Sequence, residues 1–121
     1  MAVILIVEDD VFIREIADMT IQDWGHETLA AGDVDEALTF LRSARHIDAL
    51  FTDIYLKNSV HGGCDLAHQA IALRPELRVL YTTGNTVNDK MEALFVKGTL
   101  CLRKPYTDHQ LQNCFTALFA A

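Results

Sequence analysis

Three acids stand in a row at Glu8-Asp9-Asp10, directly after the apolar run at residues 3–7, and a lone carboxylate, Asp53, closes a second run, Ala49-Leu-Phe-Thr-Asp53. Asp is depleted in strands and costly to bury without a partner, so its place there needs a chemical reason. Two later apolar runs lead to Thr83 and to Lys104. Clustered carboxylates raise one another's pKa unless a cation sits among them, and a hard oxygen site with spare water positions suits magnesium. Asp9 and Asp53 are the candidate ligands, with the Tyr55 backbone carbonyl and water completing the shell and Glu8 acting through water. Asp10 is better placed to start a helix, where its carboxylate meets free N–H groups. An Asp, a divalent cation, a hydroxyl and a Lys are the parts needed to move a phosphoryl group, which requires neutralised charge on the equatorial oxygens and an attacking oxygen held in line.

Those residues can meet only if the elements bring them together. The β-branched run at 3–7 reads as a strand buried on both faces, of the kind found in parallel sheets. Ile13, Ile16, Ala17, Thr20, Ile21 and Trp24 recur at helical spacing, and Gly25 stops that helix. Residues 27–31 form a weaker strand, and Asp33 with Glu36 gives a capping-box signature ahead of Ala37, Leu38 and Leu41. A third strand over 48–52 ends at Asp53, and residues 57–63 are a loop by composition. Leu66, Ala67, Ala70 and Ile71 mark a helix that Pro75 terminates nearby. A fourth strand spans 77–81, a short helix covers roughly 87–96, a fifth strand spans 99–102, and Leu111, Cys114, Phe115 and Leu118 give the last helix its apolar face. Five βα units with short connections predict an open, doubly wound, five-stranded parallel sheet with right-handed crossovers and helices on both faces. In such sheets ligands bind outside the carboxyl ends of the strands, where Glu8, Asp9, Asp53, Thr83 and Lys104 would converge.

At 121 residues the chain is expected to be one domain over 1–121, large enough for a real core. A net charge of −7 argues against direct nucleic-acid binding. The longest apolar run, residues 2–7, is too short for a membrane span and lacks the flanks of a secretory signal, so a cytoplasmic location is expected. Three cysteines without paired-ligand spacing read as reduced thiols. His61-Gly-Gly-Cys64 has no second half and is set aside as a zinc site. Trp24 is expected in the core, and His26, His46, His68 and His109 on the solvated surface.

Four segments, Ile4-Leu-Ile-Val-Glu-Asp-Asp10, Thr52-Asp53, Tyr81-Thr-Thr-Gly84 and Lys104-Pro105-Tyr106, come in the order and spacing of a known family. The chain resembles the receiver domains of two-component response regulators, of the single-domain chemotaxis type. The resemblance implies a flavodoxin-like strand order, 2-1-3-4-5. It makes Asp53 the phosphoacceptor, Glu8 and Asp9 the acidic pocket, Thr83 the switch hydroxyl and Lys104 its partner, with a cis bond before Pro105. The donor would be a phosphohistidine on a sensor histidine kinase or a histidine phosphotransfer protein, with Mg2+ bound. Such domains are not enzymes in the usual sense, but they catalyse their own phosphorylation and slow dephosphorylation. Their output is contact between the face of the fourth helix, fifth strand and fifth helix and a downstream protein, as a monomer or weak homodimer.

Three positions depart from the family. Cys101 stands where an aromatic switch residue is usual, residues 57–63 lack the usual proline, and Tyr55 follows Asp53 by two residues. The Tyr55 ring can overhang the phosphoryl group and hinder water, and Asn85 would face the same opening. A magnesium-dependent phosphohydrolase would place its nucleophile after the first strand and carry a cap domain, for which there is no room. A flavodoxin-like cofactor binder needs a phosphate loop after the first strand, where Glu8-Asp9-Asp10 would repel the ligand. A receiver-fold interaction domain without phosphorylation is the remaining alternative, and Cys101 is its argument.

Overall fold

The structure is a computed structural model that describes residues 2–56, 62–84, 87–96 and 99–120. Strands β1 (Val3–Val7), β2 (Glu27–Ala31), β3 (Ala49–Asp53), β4 (Arg78–Thr83) and β5 (Leu100–Arg103) alternate with helices α1 (Val11–Asp23), α2 (Val34–Leu41), α3 (Gly62–Leu73), α4 (Asp89–Glu92) and α5 (Asp108–Ala120). All strand pairs are parallel, in the order β2-β1-β3-β4-β5, so the carboxyl ends of all the strands share one edge. This is the expected doubly wound sheet.

Alternation along the strands builds two cores. Leu5, Val7, Leu50, Val79 and Tyr81 face Ala37, Leu38, Leu41, Leu66, Ala67, Ala70 and Met91 of α2, α3 and α4. Ile4, Ile6, Ala49, Phe51 and Leu80 face Ala17 and Ile21 of α1 and Leu111, Phe115 and Leu118 of α5. Because β1 and β3 are covered on both sides, they read as unbroken apolar runs rather than alternating ones. Trp24 packs against the second core, as expected.

The caps follow the sequence closely. Asp10 accepts hydrogen bonds from the Phe12 and Ile13 N–H groups at 2.9 and 3.2 Å, which fixes it as the α1 N-cap. Gly25 ends α1 with φ of +87°, a left-handed conformation that glycine takes without penalty. Asp33 accepts from Glu36 N–H at 2.8 Å, while Glu36 Oε1 reaches one residue further back than in a standard capping box, to Gly32 N–H at 2.8 Å.

Several expectations need correction. Ile13 and Ile16 are 36 and 64% exposed, so Ala17 and Ile21 form the buried stripe of α1. Residues 62 and 63, read as loop, open α3 instead, and Gly63 N–H donates to the Ile54 carbonyl at 3.0 Å. The fourth helix is a single turn capped by Asn88, much shorter than the expected 87–96. His46, His68 and His109 are exposed, but His26 is half-buried; its Nδ1 accepts from Ala2 N–H at 3.1 Å, and burial lowers its pKa. Residues 57–61 and Asn85 lie outside the described residues, so the expectations placed on them are not addressed. Among the described residues no helix is long and apolar enough to cross a membrane.

Candidate functional site

The end of β1 delivers Glu8 and Asp9, the end of β3 delivers Asp53, the end of β4 delivers Thr83, and Lys104 follows β5. Register does the positioning: Val7 pairs with Thr52, Asp53 with Thr82, and Thr83 with Arg103. The Lys104 N–H then donates to the Thr83 carbonyl at 2.7 Å, continuing the ladder one residue past β5. The Lys104–Pro105 peptide is cis.

Side chains converge on the ammonium. Lys104 Nζ donates to Glu8 Oε2 at 2.7 Å and to Asp53 Oδ2 at 2.9 Å. Glu8, Asp53 and Thr83 are buried, and Asp9 is half-buried. Ligand oxygens of Glu8, Asp9 and Asp53 all lie within 4.8 Å of one another, a spacing that could hold a metal ion. A single ammonium among three carboxylates leaves surplus negative charge, and only hard oxygen atoms surround it. That donor set fits a divalent cation that keeps part of its water.

The electrostatics follow from burial. Desolvation raises the Glu8 pKa, Lys104 opposes that shift, and the Asp53 charge adds to it. Desolvation alone would lower the Lys104 pKa, but hydrogen bonds and charge from Glu8 and Asp53 outweigh it and hold the ammonium above its usual value. Burial also raises Tyr106, which lines a small cavity with Glu8 and Thr82. Asp10 takes no part in the acidic cluster; its carboxylate serves α1, while its N–H donates to Glu8 Oε1 at 3.1 Å.

Around this centre, Tyr55 is half-buried and packs against the core beneath α2 and α3. Cys101 pairs in register with Tyr81 on β4. Tyr81 is fully buried, its ring lies 4.5 Å from that of Phe95, and its hydroxyl accepts from Val96 N–H at 3.1 Å. An aromatic tie between the sheet and the segment after α4 therefore exists one strand away from the departure at 101. Cys64, Cys101 and Cys114 are free thiols, and burial pushes Cys64 up to about 11, which disfavours the thiolate a metal would need.

Two site features escape sequence reasoning. A Cβ on Gly63 would lie 1.9 Å from the Asp53 carbonyl oxygen, so only glycine lets α3 start this close to the end of β3. Arg14 Nη1 donates to the Glu8 carbonyl at 2.8 Å. The only sequence hint of the first was two adjacent glycines; the second gave none.

A doubly wound parallel sheet with an acidic cluster and an ammonium at its carboxyl edge defines a class of flavodoxin-like α/β domains. Within that class, the family model for the response regulator receiver domain matches residues 4–116. A response regulator receiver protein of Anaeromyxobacter sp. (strain Fw109-5) is 32% identical over 102 residues, covering 84% of this chain and 42% of that protein. The chain thus spans less than half the length of that relative. A response regulator receiver protein from Sinorhizobium medicae WSM419 superposes with a TM-score of 0.89 at 25% identity, covering 99% of this chain and 95% of that one. The Vibrio cholerae chemotaxis protein CheY4 does so with a TM-score of 0.84 at 27% identity, covering 98% of each chain. The chain belongs to the response regulator receiver domain family of two-component systems.

Proposed function

We propose that residues 1–121 act as one receiver domain that takes a phosphoryl group onto Asp53 from a phosphohistidine on a sensor histidine kinase or a histidine phosphotransfer protein. The observation that carries this reading is the Lys104 ammonium bridging Glu8 and Asp53, with Asp9 beside them. A carboxylate oxygen of Asp53 forms the new bond to phosphorus as the donor's P–N bond breaks, and the leaving imidazole nitrogen keeps the electron pair and takes a proton. Lys104 turns from Asp53 to the incoming phosphoryl oxygens, where its charge opposes the negative charge arriving. The Thr83 hydroxyl, at the end of β4, supplies a donor to the same oxygens. Asp9, Asp53 and the Tyr55 carbonyl, with Glu8 acting through water, would hold Mg2+, which would supply further charge neutralisation. Phosphorylation adds charge and strong acceptors beside Thr83, and the response of the β4–α4–β5–α5 side signals by protein contact. The domain works in the cytoplasm as a monomer or weak homodimer, without direct contact with nucleic acid or membrane.

Incubation with acetyl phosphate and Mg2+ tests the reading by intact mass. The wild-type chain is expected to gain one phosphoryl group and Asp53→Asn none. No gain in the wild type, or an equal gain in the variant, rejects it in favour of an interaction domain without phosphorylation.

The packed Tyr55 ring also bears on lifetime. Held against the core two residues past Asp53, it narrows the path of attacking water. Tyr55→Asn is expected to speed loss of the phosphoryl group about threefold, by admitting water to a site that excluded it. An unchanged or slower rate, followed by the decay of the phosphorylated mass, assigns the ring to packing alone.

A further inference from the structure

Arg14 has no part in the chemistry above, yet it reaches the acidic strand end. It is half-buried on α1, and its Nη1 donates to the Glu8 carbonyl at 2.8 Å. Residue 32, beside it, is glycine: a Cβ there would lie 2.8 Å from the same Nη1, so the guanidinium end would have to shift. Backbone conformation does not demand that glycine, since the positive φ among the described glycines belongs to Gly25. Gly32 is itself held by its N–H, which donates to Glu36 Oε1 at 2.8 Å.

Glu8 is consequently fixed at every polar atom. Its N–H donates to the Ala31 carbonyl at 3.1 Å, its carbonyl accepts from Arg14, and its carboxylate accepts from Asp10 N–H and Lys104 Nζ. The Glu8–Asp9 peptide plane sets the direction of Asp9, the most open of the clustered acids. A hydrogen bond from a charged donor is about twice as strong as a neutral one, so the guanidinium is the firmest hold on that plane.

The geometry points to Arg14 as a positioning residue for the metal-binding acids: seated against Gly32, it clamps the Glu8 carbonyl and so aims Glu8 and Asp9. This inference rests on the Mg2+-dependent reading of the site. It makes a prediction opposite in sign to that of simple charge. As nothing more than a nearby cation, Arg14 would repel Mg2+, and its removal would tighten binding. As a clamp, its removal weakens binding, and so does a methyl group at 32 that evicts the guanidinium while leaving its charge in place.

Calorimetric Mg2+ titration of the wild type, Arg14→Gln, Gly32→Ala and the double variant decides between them, with urea denaturation to establish that each is folded. Each single change is expected to weaken Mg2+ binding about tenfold, the effect typical of losing a partner that orients a ligand. The double variant should bind no more weakly than Arg14→Gln, because both changes remove one contact. Unchanged or tighter binding in either single variant, or additive losses in the double, overturns the clamp. In the metal-free protein the Glu8 and Asp9 amide resonances should shift in both single variants. If the wild type neither binds Mg2+ nor takes a phosphoryl group, the proposed function fails, and these resonances still judge the clamp: no shift overturns it.

Discussion

Gly63→Ala is expected to destabilise the domain by about 3 kcal/mol, at the upper end for an overpacked site, and to abolish phosphorylation of Asp53 as well. The added Cβ would lie 1.9 Å from the Asp53 carbonyl oxygen and 2.8 Å from both the Asp53 carbonyl carbon and Ile54 Cα. Those neighbours are backbone atoms of the central sheet, so no side chain can swing aside. Relief requires α3 to lift or the end of β3 to move, and the second course carries Asp53 away from Lys104, now 2.9 Å distant. Gly84→Ala is the matched control, because nothing lies within 4 Å of its Cβ; its stability should stay within about 0.5 kcal/mol of the wild type. Urea denaturation of both variants checks the contrast, and a Gly63→Ala protein as stable as the wild type would show that the helix start yields more easily than its packing implies.

Lys104→Met is expected to cost about 3 kcal/mol at pH 7 without metal, because removing one partner strands the buried charges of the others. The loss should shrink on acidification. In the wild type the Lys104 pKa is raised, so its contribution is fully present below the ordinary lysine value near 10.5 and disappears only as pH rises through the higher folded value. Without the ammonium, Glu8 loses the group that opposes its desolvation, and its pKa, already above 4.5, rises further. The folded variant then binds a proton more readily than the unfolded chain, so its stability increases as pH falls through the raised value toward 4.5. Urea midpoints at pH 7 and pH 5, compared with those of the wild type, test this directly. An equal deficit at both values would place the cost in lost packing rather than in stranded charge. Added Mg2+ should recover part of the deficit at pH 7, since a cation bound to the folded state stabilises it by mass action.

Much of this architecture was legible from residue order. The unbroken apolar runs of β1 and β3 announced a sheet covered on both faces, and Asp10, Gly25 and Asp33 marked helix ends by local chemistry that needs no tertiary contact. The meeting of Glu8, Asp9, Asp53 and Lys104, and the place of Thr83 at the end of β4, followed from the parallel topology alone. What stayed illegible depends on approach between distant segments. The pair Gly62-Gly63 has loop composition, and only the nearness of the Asp53 backbone explains glycine inside a helix. Arg14 and Gly32 form one contact across two elements, and neither residue type suggests it. Ile13 and Ile16 continue the periodicity of α1, but the sheet is reached only by Ala17 and Ile21. His26 looks like a surface histidine until the backbone N–H of Ala2 arrives to meet it.

The pairing of Lys104 with acids 96 and 51 residues earlier in the chain has a consequence for synthesis. A ribosome delivers Glu8 and Asp53 long before the segment that carries their counterion. A growing chain therefore exposes these acids without the ammonium that bridges them, and contacts of such long range are among the last to close. The ion-paired cluster is complete only once β5 has docked against β4. The last strand of the sheet thus acts as a completeness check: under the function proposed above, a nascent chain would hold the acceptor without the lysine that assists it.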